Sequence, residues 1–176
     1  LKKRGNVIVL IGDGEFQEGQ IFEALQTAAH QKLNDLIVIM DHNKVQSSQY
    51  VKKIIDLLDL KRKISSFGWH VERCDGHNFK KIDKIFTKFL KIKNKPKFLI
   101  ADTVKGKGVN FMEHTKVMKS NKYYNWHAGA PSEYNFQKAQ SILLKKIEFF
   151  QKKIKFKKLK VTEVRPKEIK NNIEIH

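Results

Sequence analysis

What the sequence has little of narrows its function before any motif is considered. Cysteine occurs once, at Cys74. An internal disulfide framework is therefore excluded, and a reducing, cytoplasmic setting is expected. Arginine is scarce as well. It supplies four of the 36 basic residues, Arg4, Arg62, Arg73 and Arg165, in a chain with 18 acids and a formal net charge of +18. A charge of that size suits an anionic partner. The usual base-reading side chain is arginine, however, so no nucleic acid is expected. The abundance of Lys, Ile, Phe and Asn fits a biased base composition in the source genome. Long apolar runs are missing too. None is long enough to cross a membrane, and no membrane partner is expected. Val7–Ile11 is too short for the core of a signal sequence, and Gly12-Asp13 interrupts it.

Apolar residues make up 40 % of the 176 positions, inside the globular range, and one sizeable core is the default. A strand begins six residues after Leu1, so the chain is expected to start inside a domain. Three segments are expected: a partial α/β domain over 1–132, a basic amphipathic helix over 133–160, and a tail over 161–176.

The chain is organised around Val7–Val45. Val7-Ile8-Val9-Leu10-Ile11 reads as a short buried strand. Gly12-Asp13-Gly14 follows, then a helix expected over Glu15–Lys32 with Ile21, Phe22, Leu25, Ala28 and Ala29 on one face. A second buried run, Leu36–Met40, ends in Asp41-His42-Asn43. This β-α-β unit places oxygen ligands at the carboxyl ends of both strands, where open α/β sheets bind ligands. Gly12 and Gly14 would let backbone approach a phosphate closely, beside the helix N-terminus. Asp13, Asn43 and the Val45 carbonyl would offer three oxygens to a divalent metal whose shell a diphosphate and a water complete. Taken alone, Gly-Asp-Gly is a common turn. The second ligand on the next strand separates the two readings, and 43 − 13 = 30 residues divides Asp13 from Asn43.

Gly12-Asp13-Gly14-Glu15-Phe16-Gln17-Glu18-Gly19-Gln20 with Asp41-His42-Asn43-Lys44-Val45-Gln46 resembles the thiamine-diphosphate motif in its transketolase form. The resemblance runs to about residue 140. It implies a parallel sheet with helices on both faces, the diphosphate-binding half of the thiamine-diphosphate fold. It implies that Gly12, Asp13, Gly14, Asn43 and Lys105 hold thiamine diphosphate, with Mg²⁺ or Ca²⁺ on Asp13, Asn43 and Val45. Lys105 enters through Thr103-Val104-Lys105-Gly106-Lys107-Gly108, similar to the family's T-x-K-G-x-G element. His127, in Trp126-His127-Ala128-Gly129-Ala130-Pro131, matches the family histidine that touches diphosphate and substrate. A charge at a helix N-terminus is the plain reading of Glu18; the resemblance favours a catalytic-site role instead, matching it to a glutamate between the two cofactors of the dimer.

Between these motifs the pattern gives a helix over Val51–Phe67, a strand over Gly68–Arg73, and a turn at Cys74–Asn78 in which Asp75 or Asn78 caps the next helix. That helix spans Phe79–Leu90, and a fourth strand covers Phe98–Ala101. His114–Tyr124 reads as a polar loop, longer than in the commonest transketolases. His70 and His77 read as structural.

The implied activity is two-carbon ketol transfer between sugar phosphates, with the cofactor carrying the chemistry. The implied partner is a second subunit bearing the pyrimidine-binding domain, in a homodimer or heterotetramer. Without it this chain is expected to be inactive. Two alternatives stand beside this reading: an α subunit of a 2-oxo acid dehydrogenase, and a non-catalytic basic binding protein.

Overall fold

The structure is a computed structural model and describes residues 5–154. In chain order, β1 (Val7–Gly12) leads through a 3₁₀ turn (Glu15–Gln17) to α1 (Gly19–His30) and β2 (Leu36–His42). A short hairpin, β3 (Val45–Gln46) and β4 (Gln49–Tyr50), is followed by α2 (Val51–Ile54), α3 (Leu60–Ser66) and β5 (His70–Asp75). Then come α4 (Phe79–Phe89), β6 (Lys97–Asp102), a 3₁₀ turn (Asn110–Met112), α5 (His114–Ser120) and α6 (Glu133–Ile154).

β1, β2, β6 and β5 lie side by side in that order, all parallel. Parallel strands need crossovers, and the helices supply them on both faces. One face holds Ile11, Phe16, Leu25, Ala28, Leu60, Ile64, Trp69 and Phe98. The Trp69 indole donates to the Leu25 carbonyl at 2.8 Å, tying the start of β5 to α1. On the other face Ile82, Ile85, Phe86 and Phe89 of α4 pack on Ile37, Leu99 and Ala101. The parallel sheet covered on both faces is as expected.

Several expected boundaries move, each for a local reason. α1 starts at Gly19, not near Glu15, because Glu18 is extended (φ −65°, ψ 134°) and the 3₁₀ turn precedes it. The helix expected over 51–67 is two helices. Asp56 accepts from the Leu58 amide, and Asp59 caps α3 by accepting from Arg62 at 3.0 Å; such side-chain bonds compete with helical ones. Asn78 caps α4 through the Lys81 amide at 3.1 Å, as anticipated. The polar loop expected from His114 contains a helix, α5.

β1 departs most from expectation. It is an edge strand, as β5 is at the other side, and Val7, Ile8 and Leu10 are 57 %, 55 % and 68 % exposed. Only Ile11 of its apolar run joins the core. α6 is likewise without a buried residue; Lys138 lies over the Phe111 ring at 4.9 Å, and Lys146 donates to the Gly108 carbonyl. The expected end of that helix near Lys160 and the tail over 161–176 lie outside the described residues.

Candidate functional site

Strand register assembles the site. Gly12 is level with Asp41 across β1 and β2, and His42 is level with Asp102 across β2 and β6. The residues that leave these three strands therefore meet at one edge. Asp13 is 2 % exposed there. Its Oδ2 accepts from the Lys44 amide at 2.6 Å, and its Oδ1 lies 2.5 Å from His42 Nδ1. An ionised carboxylate has no proton to give, so His42 is the donor. A buried carboxylate needs such partners.

The turn after β2 is built to present Asn43. Lys44 has φ +69°, a region a non-glycine residue occupies only when its surroundings impose it. Its amide is then aimed at Asp13, and its carbonyl accepts from Val51 at 3.0 Å. Asn43 is buried, with Oδ1 accepting from the Val45 amide at 3.0 Å and Nδ2 donating to Asp41 Oδ2 at 3.1 Å. The amide orientation is thereby fixed, oxygen toward the turn. Thr103 donates to the other Asp41 oxygen. Arg73, reaching over from β5, grips Asp102 through two bonds of 2.7 and 2.8 Å, and Lys44 Nζ stands 3.3 Å away. Burial raises the Asp102 pKa, but Arg73 and Lys44 outweigh it and hold the carboxyl below its usual range.

The two motif glycines are not equivalent. Neither has a positive φ. A Cβ on Gly14 would stand 3.1 Å from the Gln46 side chain, whereas a Cβ on Gly12 would meet nothing within 4 Å. A side chain at Gly14 would therefore press on Gln46, and Gly12 leaves open space at the edge. The N-terminus of α1 begins at Gly19, beyond the 3₁₀ turn, rather than directly at Gly14.

Lys105 is half-buried in the turn after β6, a strand whose end is level with the end of β2. Lys107 is exposed, 3.8 Å from Glu113. Glu18 is exposed at the start of α1, and its side chain makes no capping bond. His127 is exposed on the bend before α6, and no hydrogen bond among the described residues ties it to Asp13 or Lys105. His77, expected to be structural, accepts from the Val104 amide at 2.8 Å. Beside His42 and Lys44 a cleft of about 410 Å³ opens, walled by Tyr50, Val51, Leu57 and Leu58.

Sequence patterns overlooked His42, Thr103, His114 and Tyr124. His42 and Thr103 are each next to a motif residue, and that adjacency is the signal they gave. His114 and Tyr124 gave none.

The donor set fits a hard cation carrying phosphate. Asp13, Asn43 Oδ1 and the Val45 carbonyl are all oxygens, and an oxygen that accepts one N–H keeps a second lone pair. Among the described residues no three His, Cys, Asp or Glu side chains gather as a metal site. An all-protein transition-metal centre is not what this edge resembles.

Fold and edge together define a ligand-binding parallel α/β domain of the kind that holds phosphates beyond its strand ends. The comparison with known proteins is narrower. The family described as "Transketolase, thiamine diphosphate binding domain" matches residues 4–155, and this chain belongs to it. The 6-deoxy-6-sulfo-D-fructose transketolase subunit of Clostridium sp. (strain MSTE9) is 40 % identical over 107 residues, 61 % of this chain and 39 % of that protein. The apulose-4-phosphate transketolase subunit of Phocaeicola vulgatus is 33 % identical over 144 residues, 82 % of this chain and 48 % of that one. The chain thus spans less than half of either relative. The transketolase of Campylobacter jejuni shares the fold, with a TM-score of 0.60 at 22 % identity over 86 % of this chain and 26 % of its own. Among the described residues no helix is long and apolar enough to cross a membrane.

Proposed function

We propose that this chain is the diphosphate- and metal-binding part of a transketolase that moves two-carbon ketol units between anionic sugars. The observation that carries the reading is the meeting of buried Asp13 with the fixed Asn43 turn, at the edge where Lys105 also stands. Asp13, Asn43 and the Val45 carbonyl would hold Mg²⁺ or Ca²⁺, and Gly12 and Gly14 would admit the diphosphate. When bound, thiamine diphosphate supplies the carbanion chemistry that breaks and forms the carbon–carbon bond. The chain's own work is to bind and orient. His42 keeps the Asp13 carboxylate turned into the site, and the Lys44 amide holds its other oxygen. Lys105 neutralises phosphate charge. His127 reaches the substrate as a hydrogen-bond donor. Glu18 stands at the contact between two cofactor-bearing halves.

Relatives named as subunits support a separate polypeptide for the pyrimidine-binding domain. The substrates in their names, a sulfosugar and a sugar phosphate, both carry a strong anion. The lysine excess of this chain suits that class, in a cytoplasmic enzyme. The test is titration calorimetry of thiamine diphosphate into the assembled enzyme with Mg²⁺ present. Asp13→Ala or Asn43→Ala should remove detectable binding, and unchanged affinity in either would sink the assignment.

A further inference from the structure

The turn that carries Lys105 is held from outside the family motif. Gly106 (φ +79°) lies so near Met112 that a Cβ there would be 2.2 Å from the Met112 carbonyl oxygen. Any side chain at this position would push the turn away. Tyr124, 3 % exposed, donates its hydroxyl to the same carbonyl at 2.9 Å. Its amide donates to the Ser48 carbonyl at 2.7 Å, in the hairpin that follows the Asn43 turn. The Lys105 ammonium stands 5.7 Å from the centre of the Tyr124 ring, within reach of a cation–π attraction. Tyr124 therefore joins the Lys105 ammonium and the Met112 carbonyl to the hairpin that follows the Asn43 turn.

His114 completes the clamp. It is 4 % exposed, and it bonds Lys105 twice. Its amide donates to the Lys105 carbonyl at 3.0 Å, and its Nδ1 accepts from the Lys105 amide at 3.0 Å. A ring nitrogen that accepts is unprotonated, so the neutral tautomer carries its proton on Nε2. Burial, with Lys44 and Lys105 nearby, lowers the His114 pKa and favours that neutral form. The ring edge leans on Tyr50, with centroids 6.2 Å apart, and Tyr50 walls the cleft beside His42. A polar surface loop has no need of a buried imidazole satisfied in this way.

We propose that His114 and Tyr124 are positioning residues that hold Lys105 against the Asn43 turn and thereby set the affinity for the diphosphate. The proposal rests on the reading of Lys105 as a diphosphate-facing cation, and the experiment separates the two. Thiamine diphosphate is titrated by calorimetry, with saturating Mg²⁺, into the assembled enzyme carrying each variant. Lys105→Ala should weaken binding by about tenfold or more, the scale of a lost charge-assisted bond. His114→Ala should weaken it by roughly threefold to tenfold, and His114→Asn, whose amide oxygen can accept from Lys105, should recover to within about twofold. Tyr124→Leu, which removes the ring beneath the ammonium, should weaken binding more than Tyr124→Phe, which keeps it. In the Lys105→Ala background, His114→Ala should add less than about twofold, because positioning has nothing left to position. If the two losses simply multiply, or if His114→Asn fails to recover, the positioning role is overturned. If Lys105→Ala binds normally, the underlying reading of Lys105 falls and takes the proposal with it. Should His114→Ala fold poorly, the Asn variant and the two Tyr124 variants decide alone.

Discussion

β1 and β6 are six-residue strands of the same parallel sheet, written in the same apolar alphabet, and they live in different environments. β6 is flanked by β2 and β5, covered on both faces, and buried from Lys97 to Ala101. Even Lys97 is inside, with its ammonium on the Asn34 carbonyl and its pKa lowered by burial. β1 has one neighbour, and the first four residues of its run are exposed. Yet both strands deliver a residue to the site edge, Asp13 from β1 and Thr103 with Lys105 from β6. Stability is concentrated at one and exposure at the other, while the candidate site draws on both. β1 is held by its ladder to β2, by Ile11 in the core, and by the Asp13 contacts at its end. The described surface along Val7–Leu10 is apolar area of the kind that marks an interaction face.

That contrast can be broken or sharpened by measurement. The largest effect is expected inside β6. Phe98→Ala removes a fully buried ring that touches both Phe16 and Trp69, and urea denaturation should show a loss of about 3–5 kcal/mol. A loss below about 1 kcal/mol would mean that β6 is not the centre of the core. Next comes the lock at the end of β1. Asp13→Ala leaves the Lys44 amide and the His42 Nδ1 without their acceptor, and about 1–3 kcal/mol of stability should go even with no cofactor present. If only cofactor binding suffers, Asp13 does not fasten β1.

The pH dependence is a smaller and separate test. The His114 pKa is lowered in the fold, so the unfolded chain binds a proton first as pH drops past about 6.5. Stability from the neutral imidazole is present above that pH and declines as pH falls toward the folded value. The denaturation midpoint should therefore decrease between about pH 7 and pH 5, and His114→Asn should flatten the slope. An identical slope in the variant would show that His114 is not the group responsible. The smallest change is expected on β1 itself. Leu10→Ala should alter the stability of this chain by no more than about 0.5 kcal/mol, as at other exposed positions. A much larger loss in the assembled enzyme than in the chain alone would locate a covering partner there.

Much of the fold was legible because it depends on short-range patterns. The α1 face of Ile21, Phe22, Leu25 and Ala28, the Asn78 cap and the apolar runs of β2 and β6 are local signals, and all reappear in the structure. What could not be read is long-range. Hydrophobic period does not say which strand is the edge, so Val7–Leu10 read as buried. The break between α2 and α3 turns on whether Asp56 and Asp59 bond forward to the backbone, a competition that periodicity does not weigh. At the site, Asp13, Asn43 and Lys105 were visible through motif resemblance, and the structure brings their turns to one edge. His42 and Thr103 were hidden because their role is to bond other side chains. His114 and Tyr124 were hidden in a stretch whose polar residues resemble any loop until α5 folds.

The level pairing of Gly12 with Asp41 also says what the thirty-residue interval between Asp13 and Asn43 measures. It is not a chemical distance but a length of connecting chain, the path out through α1 and back along β2. Its two ends are set level by the ladder that pairs Val7 with Leu36 and each residue after it. Extra residues in the turn 31–35 would lengthen the detour and leave the two ends where they are. One extra residue within β2 would rotate every later side chain to the opposite face and carry Asn43 away from Asp13. Sequences that keep the site can therefore differ in the interval, and a search that fixes its length will overlook them.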